Sequence, residues 1–202
     1  MNWNIFERRI CLTTVPNEWE LGRQEFDRVG LSIEKFQSIP DVGPHQSFNH
    51  SMRRILADFY HSGAGTLLHV EDDCIFRDLS YVEQAVGELP YDWDVLYLGA
   101  NLVCWNNGEP MPVRYSPHLF KIGCAWTTHA VAFSKKGAEF ILQKQPGFSE
   151  QMLDNWLSLQ LGALSAFVVA PMVAYQRARR SAIWGRFDDY TPILEASDAR
   201  LK

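Results

Sequence analysis

Leu67-Leu68-His69-Val70-Glu71-Asp72-Asp73-Cys74-Ile75-Phe76 sets a short apolar run directly against three acids and then returns to apolar residues. An apolar run of this length reads as a strand buried on both faces, the kind found in a parallel sheet covered by helices. In open α/β sheets the ligand crevice lies beyond the carboxyl ends of the strands, so Glu71, Asp72 and Asp73 emerge where a site is expected. Alternation along an extended chain puts Glu71 and Asp73 on one side and Asp72 on the other. Three adjacent carboxylates repel one another, and the only nearby cation in sequence is Arg77. Either solvent or a bound cation offsets that repulsion, and hard acidic oxygens suit Mg²⁺, Mn²⁺ or Ca²⁺. A capping role for the triplet is the weaker reading, because Asp78 is better placed as N-cap of the next helix.

On the amino side, a first strand over Arg9–Val15 is ended by Pro16 and Asn17, which open a helix running to about Val29, where Gly30 stops it. Ile33–Ile39 is a second, weaker strand. A helix over Ser47–His61 carries Phe48, Met52, Ile55, Leu56 and Phe59 on one stripe. His50, about 200° from Phe48 around that helix, lies off the stripe. On the carboxyl side the pattern predicts a helix over Leu79–Leu89, a buried strand over Asp94–Gly99, a strand over Trp126–Phe133 and a helix from Ser134 to Leu142. A further helix capped by Ser149, and a last strand over Ala166–Ala170, complete the pattern. Alternating strands and helices predict one α/β domain with a mostly parallel twisted sheet flanked by helices. Asn106-Asn107-Gly108 with Pro110 and Pro112 break the pattern and predict a hairpin insertion around residues 101–119, placed to hang over the site. Residues 1–183 form the domain, and residues 184–202 a tail that could close as a lid. The arginines Arg177, Arg179, Arg180 and Arg186 lead into and through that tail, with Trp184 among them.

With 202 residues, 47% of them hydrophobic, the chain can bury a sizeable core, and a formal charge of -5 gives no global attraction to nucleic acid or anionic membrane. Met1 to Arg9 lacks the apolar core of a signal peptide, and no run approaches a membrane-spanning length, so a cytoplasmic location is expected. Cys11, Cys74, Cys104 and Cys124 lack the spacing of a zinc or redox motif and read as free thiols. The nucleophile elbow GxSxG, the phosphate loop GxxxxGK[ST] and HExxH are absent. Gly63-Ala64-Gly65 precedes a strand and does not open a helix, so it is no dinucleotide fingerprint. An α/β sheet with acidic metal ligands at its edge remains, which suits an enzyme handling a diphosphate-bearing substrate.

Several blocks, in order, resemble glycosyltransferase family 25, the lipopolysaccharide-type and collagen-type sugar transferases of the GT-A fold. They are Ile10-Cys11-Leu12 through Pro16 and Trp19, Asn49-His50, Val70-Glu71-Asp72-Asp73, and Asp92-Trp93-Asp94-Val95-Leu96-Tyr97-Leu98-Gly99. Thr128-His129-Ala130 followed by Ser134-Lys135-Lys136-Gly137-Ala138, and then Asp154-Asn155-Trp156-Leu157, continue the likeness. It departs where Thr13, Thr14 and Val15 replace basic residues of the family's first turn, and where Ala182 stands in place of an acid.

The resemblance implies transfer of a sugar, with inversion, from a nucleotide-diphosphate donor to an acceptor hydroxyl on a glycan or lipopolysaccharide-type molecule, with a UDP-hexose the foremost donor. It implies Mn²⁺ or Mg²⁺ on Asp73 with Glu71, and Asp154 as the base. The nucleotide sugar is then expected against Thr13, Thr14, Pro16, His50, Glu71, Asp72, Gly99, His129, Arg177 and Arg180. Plainer readings stand beside these. Asp154 is also an ordinary acid of a first helical turn, His129 a core histidine, His50 a solvated one, and Tyr97 and Trp93 core residues. Two other functions remain open: sugar transfer to modified nucleic acid bases, served by the basic tail, and a GT-A domain that binds nucleotide or glycan without catalysis.

Overall fold

The computed structural model describes residues 1–41, 43–103, 111–145, 151–181 and 185–202. In chain order the elements are β1 (Arg8–Thr13), α1 (Pro16–Arg28), β2 (Glu34–Gln37), α2 (Pro44–Tyr60), β3 (Thr66–Glu71), β4 (Cys74–Phe76), α3 (Val82–Gly87) and β5 (Val95–Tyr97). There follow β6 (Val113–Arg114), β7 (Leu119–Lys121), β8 (Ala130–Ser134), α4 (Lys135–Lys144), α5 (Leu153–Gln160), β9 (Ala166–Val169), β10 (Ala174–Gln176), β11 (Arg179–Arg180), β12 (Phe187–Asp188) and α6 (Thr191–Asp198).

The main sheet has the order β2-β1-β3-β8-β5-β9-β7-β6. β1 runs parallel to β2 and β3, and β5 parallel to β9, whereas β8 opposes both β3 and β5, and β7 opposes β9 and β6. The sheet is therefore mostly parallel in direction, as expected, with β8 inserted in reverse at its centre. The cause lies in the connection: no crossover helix stands between β5 and β8 among the described residues, and a parallel neighbour needs one.

Helices cover both faces, and the strand residues alternate between them. Ile10, Leu12, Leu67, Val95, Tyr97, Val131 and Phe133 face α2, α4, α5 and α6. Cys11, Leu68, Val70, Leu96, Ala130 and Ala132 face the side of α1 and α3. Burying one such large apolar side chain contributes about 1.5–3 kcal/mol, so these two layers are the main source of stability. α1 begins with Pro16 at its first position and ends before Gly30, whose φ of 68° stops it. α2 starts a turn earlier than the sequence predicts, at Pro44.

Several sequence expectations need correcting. Asp78 does not cap α3, whose N-cap is Tyr81; its Oδ1 instead accepts a hydrogen bond from the Ser80 amide at 2.9 Å. Arg77 does not serve the acidic triplet either. Its guanidinium lies 3.0 Å from Glu195 and over the Tyr175 ring. While Asn101 at the start of the stretch lines a cavity, the insertion does contain a hairpin, β6 and β7, which extends the far edge of the sheet beyond β9. Ser116 Oγ and the His118 amide donate to Glu88 there, at 2.5 and 3.0 Å. Residues 104–110, with Cys104 and the Asn106-Asn107-Gly108 turn, lie outside the described residues, as do Ser149, Ala182 and Trp184. The other three cysteines are free thiols, all buried. Nor is the end of the chain a separate tail: Leu194 and Leu201 sit in the core, and Ser197 Oγ and Arg200 hold the Leu102 backbone at 2.8 and 2.9 Å. No described helix is long and apolar enough to cross a membrane.

Gly99 marks a close backbone approach, to β10 rather than to a ligand. A Cβ there would stand 1.9 Å from the Ala174 carbonyl oxygen, which only a backbone shift could relieve. Gly99→Ala should therefore lower stability by about 2–3 kcal/mol in urea unfolding. Gly63→Ala, where a Cβ meets nothing within 4 Å, should stay within about 1 kcal/mol of wild type.

Candidate functional site

The acidic residues turn at the carboxyl end of β3, beside the carboxyl end of β1. Asp72 and Asp73 are 2% and 3% exposed. The Thr13 hydroxyl donates to Asp72 Oδ2 at 2.5 Å, and the Thr128 hydroxyl donates to Glu71 Oε1 at 3.0 Å. Asp72 thus reaches β1 and Glu71 the approach to β8, but the chain turns at Asp72-Asp73, so the alternation expected of an extended chain does not separate those two residues. The cation beside them is Arg179, with Nη1 2.7 Å from Asp72 Oδ1 and Nε 2.8 Å from Asp73 Oδ2. Arg177 stands next to it and pairs with Glu18 at 2.6 Å.

One arginine does not balance the cluster. Burial, partly opposed by Arg179, pushes the Asp72 and Asp73 carboxyls above their ordinary range, and burial with the charge of Asp73 pushes Glu71 up to about 8. Asp73 Oδ1 is buried with no hydrogen-bond partner among the described residues.

Local sequence does not explain how arginines from the end of the chain reach this turn. The explanation is the β4–β10 ribbon, which pairs Gln176 with Cys74. That ladder continues through the Arg177 amide, which donates to the Asp73 carbonyl at 2.7 Å. Past it, β11 pairs with β12. In an extended segment Arg177 and Arg179 share a side and Arg180 takes the other. Arg180 accordingly points away, its Nε donating to the Gly185 carbonyl at 2.9 Å. Of the two, Arg179 lines the cavity and Arg180, expected there from the sequence, does not; the signal for it is the period of two.

Across the opening stands Asp154, in the first turn of α5. Burial raises its carboxyl above the ordinary range, against hydrogen bonds from the Asn155 and Thr127 amides. α5 has no side-chain cap of its own, since Met152 occupies the N-cap. Asn49 of α2 substitutes: its Oδ1 accepts from the Leu153 amide at 2.9 Å and its Nδ2 donates to the Gln151 carbonyl at 2.8 Å. A polar residue beside the apolar stripe of α2 was the clue to Asn49. The sequence singled out its neighbour His50 instead, whose Nδ1 lies 3.4 Å from Asp41 and which does not line the opening.

Between these two walls lies a cavity of about 590 Å³. Thr14, Val15, Gln37, Ser38, Pro40 and Phe48 line one end, at the carboxyl ends of β1 and β2. Trp126, Thr127, Asp154, Asp188 and Tyr190 line the other, with Glu71, Asp72, Asp73, Arg177 and Arg179 between. Of the expected residues, the fold brings Thr14, Glu71, Asp72, Asp73, Asp154 and Arg177 to the cavity. Thr13 acts from behind through Asp72, and Pro16 opens α1. Gly99 and His129 do not line it: the His129 ring is fully buried, and burial lowers its pKa to about 4. The motif residue Asp94 is also structural, since its Oδ2 accepts from the Ser165 amide at 2.8 Å at the opposite edge of the sheet. Among the described residues no three His, Cys, Asp or Glu side chains converge to hold a metal.

No protein-family model and no curated protein sequence matches the chain. Among solved structures it is similar to A197 from STIV, with a TM-score of 0.56 and 14% identity over 85% of this chain and 86% of that one. That likeness shows a shared fold. Looser alignments include a glycosyltransferase involved in the glycosylation of the major capsid of PBCV-1, with a TM-score of 0.38 and 11% identity over 71% of each chain. Mannose-1-phosphate geranyltransferase from Thermus thermophilus aligns with a TM-score of 0.43 and 11% identity over 90% of this chain and 74% of that one.

Arg179→Met should destabilise the fold by about 3–5 kcal/mol at pH 7, because it leaves two buried carboxylates without their partner. The folded-state pKa values of Asp72 and Asp73 lie above the unfolded ones, so the native state binds protons more strongly. The loss should therefore shrink as pH falls from 7 toward 5, read as thermal midpoints across that range. Glu71→Gln, which removes the cost of burying an ionisable carboxyl and keeps an acceptor for Thr128, should raise the midpoint by a few degrees, roughly the effect of 1 kcal/mol.

Proposed function

We propose that the protein is a nucleotide-sugar-dependent glycosyltransferase. The observation that carries this reading is the cavity itself: its lining brings the buried carboxylates Asp72 and Asp73 and two arginines together with Asp154 of α5. Transfer of a sugar from a diphosphate needs these two functions, one neutralising the departing diphosphate and one accepting the acceptor's proton. The ordered blocks resembling family 25 support the same reading.

The nucleotide end of the donor fits between the ends of β1 and β2. Gln37 Nε2 donates there to the Thr13 and Thr14 carbonyls at 3.3 and 3.5 Å, which fixes the shape of that wall. The diphosphate then lies against Arg177 and Arg179, whose fixed charges attract it. Asp154 takes the proton of the acceptor hydroxyl. Burial makes its carboxylate more basic than usual, while the amides of Asn155 and Thr127 keep it oriented. An acceptor entering beside Trp126 and Tyr190 would present its hydroxyl to Asp154.

A divalent cation of the Mn²⁺ or Mg²⁺ type fits the donor chemistry at one point. Asp73 Oδ1 is buried and unpartnered, Glu71 stands beside it, and the cluster carries surplus negative charge. Asp73, with Glu71, would hold the ion, which when bound supplies charge neutralisation for the diphosphate. The rest of its coordination is not provided by the described side chains.

A panel of nucleotide sugars incubated with the protein and Mn²⁺, scored by release of nucleoside diphosphate, tests the reading. One donor, with a UDP-hexose the first to try, should turn over. Asp154→Asn should cut turnover roughly 10²–10³-fold with donor affinity unchanged, and Asp73→Asn should abolish the Mn²⁺ dependence. Absence of both turnover and Mn²⁺-dependent nucleotide binding across the panel would overturn the proposal.

A further inference from the structure

Thr127 has a φ of 70°, the sole positive value among the described non-glycine residues. Such backbone is costly for a β-branched residue, about 1–3 kcal/mol, and persists only where its surroundings impose it. Glycine or asparagine would adopt it more cheaply. Thr127 lines the cavity, and its amide acts with that of Asn155 to lower the pKa of the Asp154 carboxyl against the effect of burial.

What imposes the conformation is visible on the other side of the residue. The Thr127 hydroxyl lies 3.1 Å from Nδ1 of His129, and Nε2 of the same ring lies 3.2 Å from the Ala174 carbonyl oxygen. A carbonyl only accepts, so Nε2 carries the hydrogen and Nδ1 is left to accept from the hydroxyl. The ring is fully buried. Gly99 leaves it room, since a Cβ there would stand 3.0 Å from Nε2. Each group in this chain has one donor facing one acceptor, from the Ala174 carbonyl through the imidazole and the hydroxyl to a backbone turned onto Asp154.

We propose that His129 and Thr127 are positioning residues for Asp154. The imidazole grips the threonine hydroxyl and so holds the left-handed backbone that aims the Thr127 amide at the carboxylate. The inference rests on the reading of Asp154 as proton acceptor, and neither residue touches the reacting atoms. It gives a purpose to the pairing of a hydroxyl with a backbone conformation that threonine otherwise avoids.

The discriminating experiment is a rescue. His129→Leu removes the acceptor of the Thr127 hydroxyl, and Thr127→Val removes the hydroxyl. Each should lower nucleoside diphosphate release from the donor that turns over best by roughly 10-fold or more, with donor KM within about twofold of wild type. Glycine reaches positive φ unaided, so adding Thr127→Gly to His129→Leu should restore turnover to within about threefold of wild type. Lost packing would not be restored by a glycine.

The ¹³C carboxyl resonance of Asp154, assigned by its disappearance in Asp154→Asn, provides a readout independent of turnover. It should move in His129→Leu and in Thr127→Val and return in the double variant. If His129→Leu does not fold, Thr127→Val carries the same comparison. An unmoved resonance in the single variants, or one that fails to return with glycine, overturns the proposal. Full turnover in Asp154→Asn would instead remove the base assignment, and the resonance would still decide whether the two residues orient that carboxylate.

Discussion

The contact on which the site depends is the guanidinium of Arg179 lodged between Asp72 and Asp73. Removing charged carboxylates from water is costly, and their mutual repulsion adds to the cost. A single arginine with two short, directional contacts makes that burial tolerable without cancelling it. The remaining imbalance, expressed in the raised carboxyls and the unpartnered Asp73 oxygen, leaves the wall receptive to further positive charge. A fully neutralised cluster would be more stable and less able to bind anything.

The opposite wall is built on a different principle. Among the described residues Asp154 forms no ion pair; near it, Asn49 stands in for a missing helix cap and Thr127 adopts a left-handed conformation. Ion pairs thus gather at the acidic turn, and Asp154 is set among neutral groups. The reversed strand β8 makes this division possible. Because it runs against its neighbours, the segment leading into it enters at the edge where the other central strands end. Trp126, Thr127 and Thr128 therefore reach the cavity from the start of a strand, in company with side chains from strand ends.

Much of this was legible in the sequence because it is local. The apolar run before Glu71, the stripe of α2 and the breaks at Pro16 and Gly30 each show a period or a terminator within a few residues. The acidic turn stood out by the same local contrast, whereas Asp154 was marked only by the resemblance to family 25. What escaped was set by pairing between distant segments. Arg77 is close in sequence and goes elsewhere, whereas Arg179 arrives through the β4–β10 ribbon, which no local pattern announces. His129 is buried as its plainer reading has it, and it and Gly99 both meet Ala174 instead of lining the cavity. Asp94, which lies in one of the blocks singled out in the sequence, is scaffold.

Asp72 and the arginine that neutralises it are 107 residues apart in the chain. At a synthesis rate of about 5–20 residues per second, the acids wait roughly 5–20 seconds after they are made before Arg179 exists. During that interval β1 and β3 can pair, but the turn at their ends must remain hydrated or protonated. The acidic turn thus closes late, together with the α6 segment that follows Arg179, and a nascent chain stopped short of Arg179 would leave it an open, charged rim.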